Sequence, residues 1–409
     1  MVNDGILEAR EKRREEINKL AKTSNVLTVK ANIPGFDKNL WVSNILISYF
    51  CKLCVNNGAN VKSVQTGLDG TTVFCTVEDG EKAKDFTTTL EENHPIGRFI
   101  DLDVTLKDSD RSLSRQKKRK CFLCEQPAFV CGRNKTHSTS ELIRFLTEKS
   151  QEFLLEVLSK LIEESVLFEL DIEDKFGLVT PKSNGSHSDL SYNLMKASVT
   201  SFKEELAKAF FVGVNFESFD KMKEPLIKTG KSCEEKMLKA TNGANSYKGF
   251  IFVGGALLCS VGYTLKKLQN FDRVFENVKN ILNNFEQPKD TFGYKAINLG
   301  FKNALINGKE GFVAVKKALE RADRIEPIQL LKYILKNTDD TVLLKRAGTN
   351  DRYNFFKALI TNCPDDKKEQ KRVSDICIEN GISIGGSADL LIACTLMKKI
   401  KENFYFKED

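Results

Sequence analysis

Between Gly97 and His137 the chain crowds together residues able to hold metals and phosphates. Asp101 and Asp103 stand two apart, and on a strand that spacing points both carboxylates to one face. Their mutual repulsion is relieved by a hard cation. Mg²⁺ suits such a pair because it keeps waters and substrate phosphates among its ligands, as phosphoryl and nucleotidyl transfer require. The competing reading is an ordinary solvated acidic pair on an edge strand. Further on, Cys121-x2-Cys124-x6-Cys131-x5-His137 offers four soft or borderline donors in one short segment. That is the composition of a closed, structural Zn²⁺ site. A repeated Cys-x-x-Cys is missing, so metal-free, packed cysteines remain the alternative. Between the two groups, Arg111 to Lys120 carries six basic residues in ten positions. Such a run is either solvated or meets something anionic.

The chain that must position these residues has 409 of them, more than one core usually organises. With 41% hydrophobic and 29% charged residues it has the composition of a soluble globular protein. A net charge of +7 is too mild to demand a nucleic-acid partner. The eleven cysteines, in a chain whose first segment is too charged for an export signal, point to a reducing cytoplasm and to metal rather than disulfides. Phe250 to Leu265 is uncharged, but at sixteen residues it falls short of the roughly 20 a spanning helix needs. Its Gly and Ala content predicts a buried helix packed closely on its neighbours, with no membrane contact.

Residues 5–22 read as a charged amphipathic helix. Leu27, Val29, Ala31 and Ile33 alternate as a strand does, and Val42, Ile45, Tyr49 and Leu53 recur at helical spacing. Strands near Val61–Gln65 and Thr72–Val77 flank a turn at Asp69-Gly70, and a helix follows at 79–92. Next, Ile100, Leu102 and Val104 share one strand face, while Phe99, Asp101 and Asp103 share the other. From Ser138, which forms a capping-box pattern with Glu141, helical periodicity takes over. The expectation is a multidomain chain: an α+β N-terminal domain over 1–150, then a larger all-α C-terminal domain over 151–409.

In this second part four islands place Gly beside polar residues at helix ends. They are Lys175 to Val179 with Asn184 to Asp189, then Glu234 with Ala240 to Gly249, then Asp340-Thr341 with Arg346 to Gly348, and Gly385 to Leu391. Helix N-termini there could hold phosphate. Plain helix capping uses the same residues.

Gly97, Arg98, Asp101, Asp103, Val104, Ser114, Arg115, Arg119, Cys121, Cys124, Ala128, Cys131, Arg133 and His137 together resemble apo-citrate lyase phosphoribosyl-dephospho-CoA transferases, over about residues 20–145. The resemblance implies a nucleotidyltransferase. It would move a nucleotide-like prosthetic group to a serine of the citrate lyase acyl-carrier subunit and release pyrophosphate. Asp101 and Asp103 would then be the catalytic pair holding Mg²⁺ on the triphosphate, Arg98 and Arg115 would meet the phosphates, and the basic run would dock the acidic carrier.

The four islands resemble triphosphoribosyl-dephospho-CoA synthases over about 155–400. The implied reaction is a pentosyl transfer between ATP and dephospho-CoA: a ribose hydroxyl of dephospho-CoA attacks the anomeric carbon of ATP, and adenine leaves. His187, Asp189, Glu234 and Asp389 are the catalytic candidates, with the identity of the base open. Lys248 and Arg346 are the phosphate contacts, and Asn245, Asp340 and Ser387 further substrate contacts. The chain departs from the family at Phe176 and Ile384, where the family has Pro, and at Tyr247, where it has His. Asn303 to Gly308 replaces a segment with an Arg and a Glu. The resulting reading is a bifunctional, cytoplasmic maturation enzyme of citrate lyase. Two alternatives stand beside it: a zinc-containing nucleic-acid-binding protein, and an active transferase joined to a degenerate helical scaffold. Nucleic acid is disfavoured, since few aromatics interleave the basic residues and no recognised binding motif is present.

Overall fold

Period-two alternation organises the first part. In the structure, a computed structural model that describes residues 2–115 and 118–408, α1 (Val2–Ala21) leads into β1 (Asn25–Ala31) and α2 (Trp41–Asn56). The hairpin of β2 (Asn60–Gly67) and β3 (Gly70–Val77) follows, then α3 (Gly80–Asn93) and β4 (Ile100–Thr105). The four strands form one antiparallel sheet in the order β2-β3-β1-β4. Leu27, Val29 and Ala31 of β1 line up with Val73 and Cys75 of β3 and with Ile100, Leu102 and Val104 of β4. Together they form a buried apolar face, packed with Val42, Leu46 and Phe50 of α2. The opposite face carries Thr28 against Asp103 and Lys30 against Asp101.

As an edge strand, β4 has backbone groups that need partners. The Glu91 carboxylate of α3 accepts from Leu102 N at 2.9 Å. Leu113 N donates to Val104 O at 2.7 Å, and the Arg119 guanidinium reaches Ile100 O at 3.4 Å. Leu113 and Arg119 therefore each bond the free edge of β4, as the two described anchors of a strap.

The chain divides into two compact units. One comprises Met1–Leu154 with Leu265–Asn270 and Glu402–Asp409, the other Leu155–Thr264 with Phe271–Lys401. After a short α4 (Ala128–Asn134) comes α5 (Thr139–Leu170), whose start is the capping box read from sequence: Ser138 N donates to Glu141 and Glu141 N to Ser138 Oγ. The second unit is helical throughout its described residues apart from turns and an isolated bridge. Its helices are α6 (Tyr192–Asn215), α7 (Lys223–Ala240), α8 (Lys248–Lys266), α9 (Arg273–Leu282), α10 (Phe292–Asn298), α11 (Ala304–Lys309), α12 (Val313–Leu319), α13 (Pro327–Asn337), α14 (Thr341–Ala347), α15 (Asn350–Thr361), α16 (Lys367–Glu379) and α17 (Gly385–Asn403).

Among the described residues α8 alone is long and apolar enough to cross a membrane by composition, and it is mostly buried. It lies against α6 at backbone distance. A Cβ on Gly213 would overlap the Cys259 carbonyl, and one on Gly262 would overlap the Phe210 carbonyl. The close packing expected from its small residues is what holds these two helices together.

Candidate functional site

Asp101 and Asp103 project from the polar face of β4, as their spacing predicts, and a cluster of charges gathers about them. Glu91, almost completely buried, is paired with both Arg115 and Arg119. Arg119 also reaches Asp101 at 2.7 Å. Burial pushes the Asp103 carboxyl above the usual range, and the neighbouring Asp101 pushes the same way. Lys84 and the two arginines oppose that shift. Lys84 adds a telling detail. Its ammonium is buried with no hydrogen-bond partner, and burial lowers its pKa even though Asp103 favours its charge. A carboxylate pair kept apart from full neutralisation, next to an unpartnered cation, fits a ligand that brings both phosphate and a divalent metal.

The basic run proves less available than a solvated loop. Its Gln116 and Lys117 lie outside the described residues. Of the others, Arg115 and Arg119 turn inward because buried Glu91 requires counter-charge. Arg98, expected to meet phosphate, donates from its guanidinium to the Cys121 carbonyl and lies 5.9 Å from the Phe122 ring centroid. The guanidinium beside Asp101 is that of Arg119.

The metal-type group converges. The donor atoms of Cys121, Cys124, Cys131 and His137 all lie within 4.8 Å of one another. Cys124 and Cys131 sulfurs are 3.3 Å apart, and His137 Nε2 is 3.4 Å from the Cys124 sulfur. All four donors are accounted for by a closed site.

In the second unit a cavity of about 660 Å³ collects residues from all four islands. His187, Asp189, Asn245, Lys248, Arg346 and Asp389 line it. Arg346 donates to His187 Nδ1 at 3.1 Å and to the Ser186 and Gly381 carbonyls, each at 3.0 Å. Burial, reinforced by the Arg346 charge, lowers the His187 imidazole to about 4, so the ring is neutral near pH 7. Asp189 lies 3.8 Å from His187 and is largely exposed. Asp389 lies against the first turn of α8, where a Cβ on Gly249 would overlap its carboxylate. Burial drives the Asp389 carboxyl well up, with Asp340 and Glu169 adding to the shift.

Three expected contacts lie elsewhere. Asp340 is buried as the N-cap of α14, accepting from Val342 N and Leu343 N, and it also takes Gly386 N, Ser387 N and Ser387 Oγ at the start of α17. Its partner Ser387 is fully buried. The two latch helix N-termini together, because each terminus leaves donors that need an acceptor, and they do not line the cavity. Glu234 is likewise absent from the lining and binds Lys248 Nζ at 2.8 Å. Asn245 serves in both ways, lining the cavity while its Oδ1 accepts from Lys248 N at 3.1 Å.

Sequence reasoning missed the cavity floor. Lys175 Nζ binds Glu169 Oε1 at 2.8 Å and the Glu169 carbonyl at 2.6 Å, with both side chains almost wholly buried. Beside them Tyr247 lines the cavity with a buried hydroxyl that lacks a protein partner. Lys175 lay within an island; Glu169, at the end of a long amphipathic helix, carried no distinguishing signal. At Asn303 to Gly308, the segment that replaces one with an Arg and a Glu, the wall presents the amide of Asn307, and the Gln287 amide also lines it. Asn303 caps α11 and donates to Gln287 at 2.8 Å.

Comparison with known proteins matches residues 2–153 to the family described as apo-citrate lyase phosphoribosyl-dephospho-CoA transferase, and residues 155–407 to ATP:dephospho-CoA triphosphoribosyl transferase. The chain is 28% identical to Protein CitXG of Leuconostoc mesenteroides subsp. cremoris, across 96% of this chain and 95% of the relative. It is 24% identical to Protein CitXG of Haemophilus influenzae, across 95% and 94% respectively. A 2-(5''-triphosphoribosyl)-3'-dephosphocoenzyme-A synthase of Haemophilus ducreyi is 23% identical across 66% of this chain and 96% of its own.

Proposed function

Because the chain belongs to the ATP:dephospho-CoA triphosphoribosyl transferase family and carries an apo-citrate lyase phosphoribosyl-dephospho-CoA transferase part ahead of it, we propose that this transferase both makes and attaches the citrate lyase prosthetic group. In this reading residues 151–409 join ATP and dephospho-CoA with loss of adenine. Residues 1–150 then transfer the product to a serine of the acyl-carrier subunit with loss of pyrophosphate. The observation that carries it is the convergence of His187, Asp189, Lys248, Arg346 and Asp389 on one cavity.

For the synthase step, Lys248 and Arg346 meet the triphosphate. Asp389 is the general acid: burial holds its proton, which passes to adenine as the glycosidic bond breaks. The more open Asp189 receives the proton of the attacking ribose hydroxyl, while Arg346 holds neutral His187 in place. Tyr247 offers its unpartnered hydroxyl to substrate.

For the transfer step, the carrier serine oxygen attacks the α-phosphorus and pyrophosphate departs. Asp101 and Asp103 would hold Mg²⁺, whose charge, when it is bound, offsets that of the triphosphate. Lys84, Arg115 and Arg119 stabilise the departing pyrophosphate from the protein side.

One incubation of the full chain with ATP, dephospho-CoA, Mg²⁺ and apo acyl-carrier tests both halves. Adenine appears by chromatography, and the carrier gains the mass of the prosthetic group. The amide wall at Gln287 and Asn307 favours one second reading, a helical part that binds substrates without turning them over. Transfer of presynthesised prosthetic-group precursor without any adenine release from ATP would establish it.

A further inference from the structure

The donor set of Cys121, Cys124, Cys131 and His137 has a role in the fold that the chemistry of neither active site requires. We infer that these residues hold one structural zinc ion, and that this ion fastens the arginine-bearing strap to the edge of β4.

Three observations on the first unit carry the inference. The donors converge within 4.8 Å although they come from separate local structures: a turn, the helix α4, and the segment just before α5. Zn–S bonds of about 2.3 Å in a tetrahedron place sulfurs roughly 3.8 Å apart, so the observed spacings need only small adjustment around an ion. Cys121 and Cys131 are almost completely buried. Three sulfurs and an imidazole form a soft-to-borderline set that selects zinc over Mg²⁺ or Ca²⁺, and four protein donors leave no open position for substrate.

The backbone around the donors forms a small closed knuckle. Lys120 bridges Pro127, Cys121 N donates to Gln126 O at 2.7 Å, and Ala128 N donates to Arg119 O at 2.8 Å. Arg119 therefore leaves the knuckle with its main chain already fixed, and its side chain reaches Asp101 at 2.7 Å and pairs with Glu91. Arg98 closes the other side, binding the Cys121 carbonyl. A zinc with three thiolates carries net negative charge, and a guanidinium beside it offsets that charge. This gives Arg98 a role where it stands.

The metal assignment rests on ligand geometry alone and holds whatever group the first unit transfers. Its test uses the full chain, purified without chelator, with metal measured by plasma mass spectrometry. About one zinc per chain is expected. Cobalt exchanged into the site should show a thiolate charge-transfer band and tetrahedral visible bands. Cys124→Ala should lose zinc, and Cys124→His, which supplies a nitrogen donor in place of the sulfur, should retain it. Removing zinc should expose the strap anchored at Leu113 and Arg119 to protease and leave the melting of the second unit unchanged. Less than a tenth of an equivalent of zinc, a disulfide among these cysteines in the freshly purified protein, or full zinc content in Cys124→Ala would each overturn the site. Zinc present but strap proteolysis unchanged after its removal would overturn the fastening role. Carrier modification enters none of these readouts, so failure of the transferase reading is separately visible.

Discussion

The cavity of the second unit contrasts two carboxyls. Burial drives the Asp389 carboxyl well above the usual range, whereas Asp189 stands largely in solvent. Groups whose environments push their proton affinities apart are suited to complementary acid and base roles. Asp389→Asn, which preserves shape and removes the transferable proton, is expected to lower adenine release by about 100-fold or more. Carrier modification from presynthesised precursor should be unaffected. His187 makes a separate, thermodynamic test. Its folded value of about 4 lies below the ordinary 6.5, so the unfolded chain takes up the proton first as pH falls. The contribution of this group is fully present above pH 6.5 and is lost as pH falls toward 4, by up to about 3 kcal/mol. Urea unfolding of the second transition should show a steeper loss across that window in the wild type than in His187→Gln; equal slopes would show that the ring titrates normally. At this scale the sequence was only partly legible. The Asp101/Asp103 face follows from strand periodicity and the Cys/His group from spacing. Asp340 and Ser387 could not be told from ligand-binding residues, because capping a helix and holding a phosphate draw on the same side chains.

Elements decide what those residues can do. Glu91 belongs to a buried polar stripe on α3, with Gly80, Lys84 and Thr87, and from there it covers the edge of β4 and gathers Arg115 and Arg119. No local pattern announces this, since the need arises only once β4 is known to be an edge strand. Glu91→Gln leaves two guanidiniums without their shared counter-charge, and it is expected to cost about 3 kcal/mol or more in the first unit. Differential calorimetry resolving two transitions would locate the loss. The glycines of α8 were more legible. Sixteen uncharged residues rich in Gly and Ala predicted close packing, and Gly262 indeed lies at the Phe210 backbone. Gly249, in the first turn of the same helix, instead makes room for the Asp389 carboxylate. Gly249→Ala should therefore displace Asp389 and abolish adenine release with less than about 2 kcal/mol change in stability, whereas Gly262→Ala should destabilise the second unit by about 2 kcal/mol or more. Equal effects of the two substitutions on stability, with adenine release intact in Gly249→Ala, would remove Asp389 from the mechanism.

For the whole molecule, an α+β part followed by a larger helical part was readable because the hydrophobic period changes from two to that of a helix near Ser138. In the proposed function the two parts, matched to families over residues 2–153 and 155–407, perform consecutive steps on one chain. Joining two modules raises their local concentration, but it does not by itself require the intermediate to stay bound. In that proposal a variant Asp101→Asn would lack the metal-holding pair of the transfer step and keep the cavity of the second unit whole. Asp389→Asn has the reverse defect. Under the proposed division of labour, the first is expected to release adenine and accumulate free triphosphoribosyl-dephospho-CoA, and the second to modify the carrier only when given that precursor. Mixed together with ATP, dephospho-CoA, Mg²⁺ and apo carrier, the two variants should restore carrier modification, because the intermediate diffuses from one chain to the other. The carrier mass reads this directly, and the rate should rise with the concentration of the Asp389→Asn partner. Adenine release with the precursor retained on the Asp101→Asn chain and an unmodified carrier in the mixture, while Asp389→Asn still modifies the carrier from added precursor, would show that the intermediate passes only within a chain.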